Sequence, residues 1–364
     1  MPLPSLVSAY PSKERAELAR RSFYFKMISS LAYLVSIASR DDQNTNILSL
    51  IRNPVSATNL NPRIFYLHDS LLTAMRAQDV ETARKVLATI NELAGQEVEK
   101  RDNPGPEILT INDTDWEQFI VNNSKALGEE FFKERPIIDP VSEDVVREQR
   151  RIISGAIKII ADNFPAMFDE LKAFLNKIRI FEGTVTMGIT DVRMFGCMLI
   201  RTPRKEVNAQ LYYAEHLTHE ISHMYLNAAM SLDAIILNDR SELFTSPIRP
   251  DPRPMLGVFH ATFVTSRIVQ LFSAMANSSE DEEVGVYLYQ QLDELQAGIE
   301  EIARGARLTT VGMTLLEEFR EIAKNAEELS FWNSFDENGN YEHRFGGGIR
   351  FKRARDRLSV QSVV

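Results

Sequence analysis

One window of this chain resists a helical reading, and it limits the fold more than any other feature. From Ile178 to Thr202 the sequence carries β-branched and aromatic residues, three glycines and little recurrence at spacings of three and four. Such a stretch predicts two or three short strands. Helical periodicity marks most of the remainder. It predicts helices over Ser12–Ser39, opened by Pro11-Ser12, and over Arg63–Ala77, Asp79–Ala94, Ser142–Asp162 and Pro165–Lys177. It resumes over Val207–Asp233, Pro254–Ala276, Glu280–Ala303 and Thr310–Leu329, with Pro254 suited to a first helical turn. Arg101–Thr114, rich in Pro, Asn and Asp, and Asn238–Asp251 are predicted loops. The expectation is a mostly α protein with a small β-sheet directly before the helix from Val207, an α+β, zincin-like local arrangement. A helical N-terminal region, 1–176, precedes a second region, 177–364, that holds the sheet. In the tail, Asp336–Asn340 and Gly346–Gly348 predict turns and a hairpin. Asp336–Glu342 lacks the glycine and glutamate that a calcium loop needs at its sixth and twelfth positions, and is expected to be a plain turn.

Charge and cysteine content narrow the partners. Forty-one basic against 51 acidic residues leave a net charge of -10, so binding nucleic acid would release few counterions, and none is expected as a partner. The single cysteine, Cys197, lies in the apolar run Met194–Ile200 and is expected to be a buried structural thiol. One cysteine allows no internal disulfide, which suits a reducing cytosol. The first residues lack a basic start followed by an apolar stretch. The most apolar early segment, Leu31–Ala38, is far shorter than the roughly 20 residues of a membrane span. A cytoplasmic location without a membrane partner is the expectation.

The helix from Val207 carries His219-Glu220-Ile221-Ser222-His223. Two histidines four apart on a helix share a face, one turn from each other, where both rings can meet one divalent ion. Glu220 sits between them and points partly aside, as a general base or acid beside a metal would. His216 lies on the same stripe. Seven residues of helix separate it from His223, roughly 10 Å, against metal–nitrogen bonds of about 2 Å, so it cannot join both in one shell. It is a donor behind the ligands, a substrate contact or a packing histidine. A third ligand must come from elsewhere. The metzincin pattern is excluded, because Leu226 and Ala229 stand where its glycine and third histidine belong. Glu242 and His260 remain as candidates. Pro247-Ile248-Arg249-Pro250-Asp251-Pro252-Arg253-Pro254 lies between them and holds two guanidinium groups on a stiff segment suited to binding a carboxylate.

These residues carry a family resemblance. Tyr213–Glu220, then Asp251-Pro252-Arg253-Pro254-Met255-Leu256-Gly257-Val258-Phe259-His260, then Leu308-Thr309-Thr310-Val311-Gly312 resemble the HExxH-motif peptide-modification proteins, over roughly Phe195–Leu329. The resemblance implies iron(II)- and 2-oxoglutarate-dependent β-hydroxylation of a side chain in a ribosomally made precursor peptide. It implies His219, His223 and His260 as iron ligands. The distal carboxylate of 2-oxoglutarate would then pair with Arg249 or Arg253. Two positions depart from the family: Ser222 where many members have Gln, and Ile248 where an aromatic residue often stands. Two other readings compete with the oxygenase. One is a zinc metallopeptidase with Glu220 as the base that activates water. The other is a peptide-binding module whose metal is only structural.

Overall fold

The computed structural model describes residues 7–38, 45–52, 60–96, 105–132, 135–232, 234–248, 251–278 and 281–329. The tail turns, the hairpin and the Asp336–Glu342 segment lie outside these residues, as does Arg249. Two compact units result. The first comprises Met1–Val7, Pro11–Ala161 and Pro165–Ala234, and the second Ser8–Tyr10, Asp162–Phe164 and Ile235–Val364.

The first unit is built on helices α1 (Lys13–Ala38), α2 (Thr45–Arg52), α3 (Pro62–Arg76), α4 (Val80–Gln96), α5 (Asp115–Phe132), α6 (Glu143–Asn163), α7 (Pro165–Phe174) and α8 (Ala209–Met230). Its strands are β1 (Glu107–Thr110), β2 (Ile138–Pro140), β3 (Lys177–Gly183), β4 (Gly188–Ile189) and β5 (Cys197–Arg201). The mostly helical architecture with a small mixed sheet agrees with the sequence reading; β4 and β5 fall inside the predicted strand window, and β3 begins one residue before it. The sheet also recruits earlier chain. On one side of β3, β1 pairs parallel along its first half and β2 antiparallel along its second. On the other side β5 pairs parallel, and β4 lies antiparallel on β5 at the edge.

The loop expected over Arg101–Thr114 therefore needs correction, since it contains β1. Its state is set by β3: Glu107 N donates to Asn176 O at 2.9 Å and Ile111 N to Ile180 O at 3.2 Å. Lys177 pairs with Glu107 at 3.0 Å. Helix α5, absent from the sequence reading along with α2, covers one face of the sheet with Trp116, Ile120 and Val121 against Cys197, Leu199 and Phe181. Beneath it, Glu117 and Arg179 form a buried ion pair at 2.7 Å. Cys197 is buried as expected, and that burial pushes its thiol up to about 12, which makes it inert at neutral pH. Phe195 packs among Phe23, Phe65 and Phe174 with ring centroids 4.3, 5.6 and 5.8 Å away. Gly196, at φ +90, permits the tight entry into β5 that a side chain would strain.

In the second unit, β6 (Leu243–Phe244) pairs antiparallel with β7 (Arg253–Pro254), and α9 (Met255–Ser278), α10 (Glu282–Gly305) and α11 (Thr310–Glu327) follow. Pro254 thus closes a short strand instead of opening α9. By length and composition α9 could span a membrane, but 78% of its most apolar window is buried, which makes it a core helix. Arg267 on α9 is fully buried and donates to the carbonyls of Ser8 and Ala9 at 3.1 and 3.2 Å. Glu318 accepts from Ala9 N at 2.6 Å, so charged side chains hold both edges of this short N-terminal segment.

Candidate metal centre

Helix α8 starts where Asn208 caps it, its side-chain oxygen accepting from Gln210 N and Leu211 N at 3.2 and 3.3 Å. Apolar and small residues bury nearly all of its circumference, and Tyr225 meets Phe174 edge-on at 6.2 Å. The half-buried residues His219, His223, Asn227 and Met230 follow the three- and four-residue spacing of one helix face. The two histidines therefore occupy the accessible stripe of a helix that is otherwise core.

Their Nε2 atoms lie 3.2 Å apart, with ring planes at 68°. Two nitrogens about 2.0–2.1 Å from one ion stand about 2.9 Å apart at a right angle and about 3.4 Å apart at a tetrahedral angle. The observed separation falls between these limits, so the pair fits a shared divalent ion. His216 does something else. Its ring stacks on Tyr212 at 4.0 Å, and its Nδ1 lies 2.8 Å from Tyr212 O. A carbonyl only accepts, so Nδ1 carries the proton. His216 is thereby a buried packing histidine.

Glu220 is 3% exposed and faces the sheet edge. Its Oε2 accepts the Thr190 hydroxyl at 2.7 Å, and its Oε1 lies where a Cβ on Gly188 would come within 2.1 Å. Glycine at 188 is thus what lets the carboxylate approach β4. Neither Thr190 nor Gly188 was legible as a site residue, because only the β4–α8 packing joins them to a residue some thirty positions away.

The remaining candidates lie in the second unit. His260 sits on α9, half-buried, and desolvation holds its imidazole down to about 4, so it is neutral at pH 7. Glu242 is engaged within its own loop. Arg307 donates to it at 2.5 and 3.2 Å, Asn238 Nδ2 at 3.2 Å and Asp239 N at 3.1 Å, and these bonds, Arg307 foremost, lower its pKa. Arg253 Nε donates to Asp251 Oδ2 at 3.0 Å. Among the described residues no group of three or more His, Cys, Asp or Glu side chains converges as a metal cage. What α8 assembles is a pair of histidines spaced as two ligands of one ion would be, with a buried carboxylate between them in sequence. No protein-family model matches the chain, and comparison with curated proteins finds no match.

Proposed function

We propose that the chain is a divalent-metal-dependent enzyme acting on a peptide, and that its reaction is iron(II)- and 2-oxoglutarate-dependent hydroxylation of a side chain. The observation that carries the metal is the 3.2 Å separation of the two Nε2 atoms on the accessible stripe of α8. His219 and His223 would hold the ion through Nε2, with protons on Nδ1. His260 is the third ligand of this reading, as the family resemblance implies. Arg253, with Arg249, would receive the distal carboxylate of 2-oxoglutarate. Support for a peptide comes from β4, an antiparallel edge strand whose Gly188 lies against Glu220 and beside which an extended chain could lie. The choice of hydroxylation rests on the resemblance carried by Tyr213–Glu220 and Asp251–His260. Bound iron would supply the redox chemistry by which dioxygen and 2-oxoglutarate convert a C–H bond to C–OH, giving succinate and carbon dioxide.

A zinc peptidase is the second reading, favoured by the position of Glu220 immediately after His219. One experiment divides the two. The protein is loaded with iron(II) or zinc and incubated with a precursor peptide encoded beside its gene, with and without 2-oxoglutarate, and intact mass is followed. A gain of one oxygen with matching succinate, dependent on iron(II) and abolished by His219→Ala, is expected. Backbone cleavage with zinc and without 2-oxoglutarate, abolished by Glu220→Gln, would replace the oxygenase by the peptidase. Absence of stoichiometric metal would remove both.

A further inference from the structure

Four arginines are buried among the described residues: Arg20, Arg179, Arg201 and Arg267. Arg179 meets Glu117, Arg267 meets two carbonyls, and Arg20 lies over the Tyr24 ring at 5.9 Å. Arg201 differs. It is 7% exposed, its Nε is sealed from solvent without a hydrogen-bond acceptor, and none of the described carboxylates pairs with it. Its backbone N donates to Met187 O at 2.9 Å, so the sheet holds this end of β5 in place.

Arg201 is the last residue of β5, paired in register with Phe181 of β3. Strand alternation puts it on the face of Cys197 and Leu199, under α5, whereas Gly188 and its partner Ile200 face Glu220. The sheet therefore separates Arg201 from the metal half-site. Glu182, the residue after Phe181, alternates to the other face and is exposed. A buried donor nitrogen left unsatisfied marks a missing partner.

Two features place that partner at the strand ends. Open sheets with parallel strands bind ligands beyond the carboxyl ends, where Arg201 stands. The chain also leaves β3 through a strained turn. Thr186 N donates back to Thr184 O at 2.6 Å, with Val185 at φ +58, a conformation β-branched residues rarely adopt. Such strain gathers at ligand sites. We propose that Arg201 anchors an oxyanion-binding site at the carboxyl end of β5, distinct from the metal centre. Its ligand is a phosphate or carboxylate group, either of which a guanidinium binds in fork geometry.

The test uses the full chain, with inorganic phosphate and acetate as separate probes and sodium chloride at equal ionic strength as the control. Calorimetric titration should show one site for phosphate or acetate, the tighter of the two naming the source, and a rise in unfolding temperature that chloride does not reproduce. Arg201→Met should weaken that binding at least about 30-fold, as expected for losing a charge-assisted pair. Without anion, the variant should unfold no lower than the parent, since it removes a buried donor that has no acceptor. Arg201→Lys, which keeps the charge but loses the fork, should weaken binding by a smaller factor. Absence of binding by the parent, or equal binding by Arg201→Met, would overturn the site. If Arg201→Met does not fold, binding by the parent and its weakening in Arg201→Lys decide the matter alone.

Discussion

Replacing Gly188 by alanine tests the contact that locks Glu220 against the sheet edge. The added Cβ would stand 2.1 Å from Glu220 Oε1 and 2.9 Å from Cδ, where ordinary contacts begin at 3.4 Å. Glu220 is 3% exposed and its other oxygen holds the Thr190 hydroxyl at 2.7 Å, so it can retreat only by releasing that bond. Overpacking costs about 1–3 kcal/mol, and a hydrogen bond to a charged group about 1.5–3 kcal/mol. Because relaxation trades one against the other, a loss of about 1–3 kcal/mol is expected. Glu220→Ala removes the obstacle. In that background Gly188→Ala should cost no more than about 0.5 kcal/mol, since fewer unfolded conformations offset the change. The coupling between the positions is then about 1–2.5 kcal/mol. Urea unfolding of the parent, both single variants and the double variant, metal-free and at one pH, measures it. Costs that add to within about 0.5 kcal/mol would refute the packing of Glu220 on Gly188.

Three further outcomes follow from the same physics. His219→Ala and His223→Ala should each weaken metal binding more than about 100-fold in equilibrium dialysis while leaving helix content intact, because both rings lie on the accessible stripe. For His260, held down to about 4 against 6.5, the unfolded chain takes up a proton that the folded chain refuses. Metal-free stability should therefore be full above about pH 6.5 and fall toward pH 4 by up to about 3 kcal/mol. His260→Asn should flatten this acid limb, and an unchanged limb in denaturant titrations would exclude the burial. Glu117→Leu leaves the buried Arg179 with only Glu107 at 3.8 Å and Asn112 N without its acceptor, and should cost about 3–5 kcal/mol, whereas adding Arg179→Met should restore part of it. A double variant no better than the single would show that the pair does not act as a unit.

The sequence by itself determined the helices whose apolar residues recur over several turns. Ser12–Ser39 became Lys13–Ala38, Ser142–Asp162 became Glu143–Asn163, and Thr310–Leu329 became Thr310–Glu327. It also put two or three strands within Ile178–Thr202 and set His219 and His223 on one helix face, because a spacing of four fixes their direction once the helix forms. Helix α5 has a start signal in Thr114-Asp115-Trp116-Glu117, but the Asn- and Asp-rich stretch before it carries a loop composition that hides it. Tertiary structure alone decided the rest. Strands of three or four residues such as β1 and β2 carry too little pattern to declare themselves, and pairing with β3 gives them their state. The Thr190–Glu220 bond and the solitary burial of Arg201 belong to the same class. A side chain's partner depends on which faces meet in space, and spacing along one strand or helix fixes only which face it occupies.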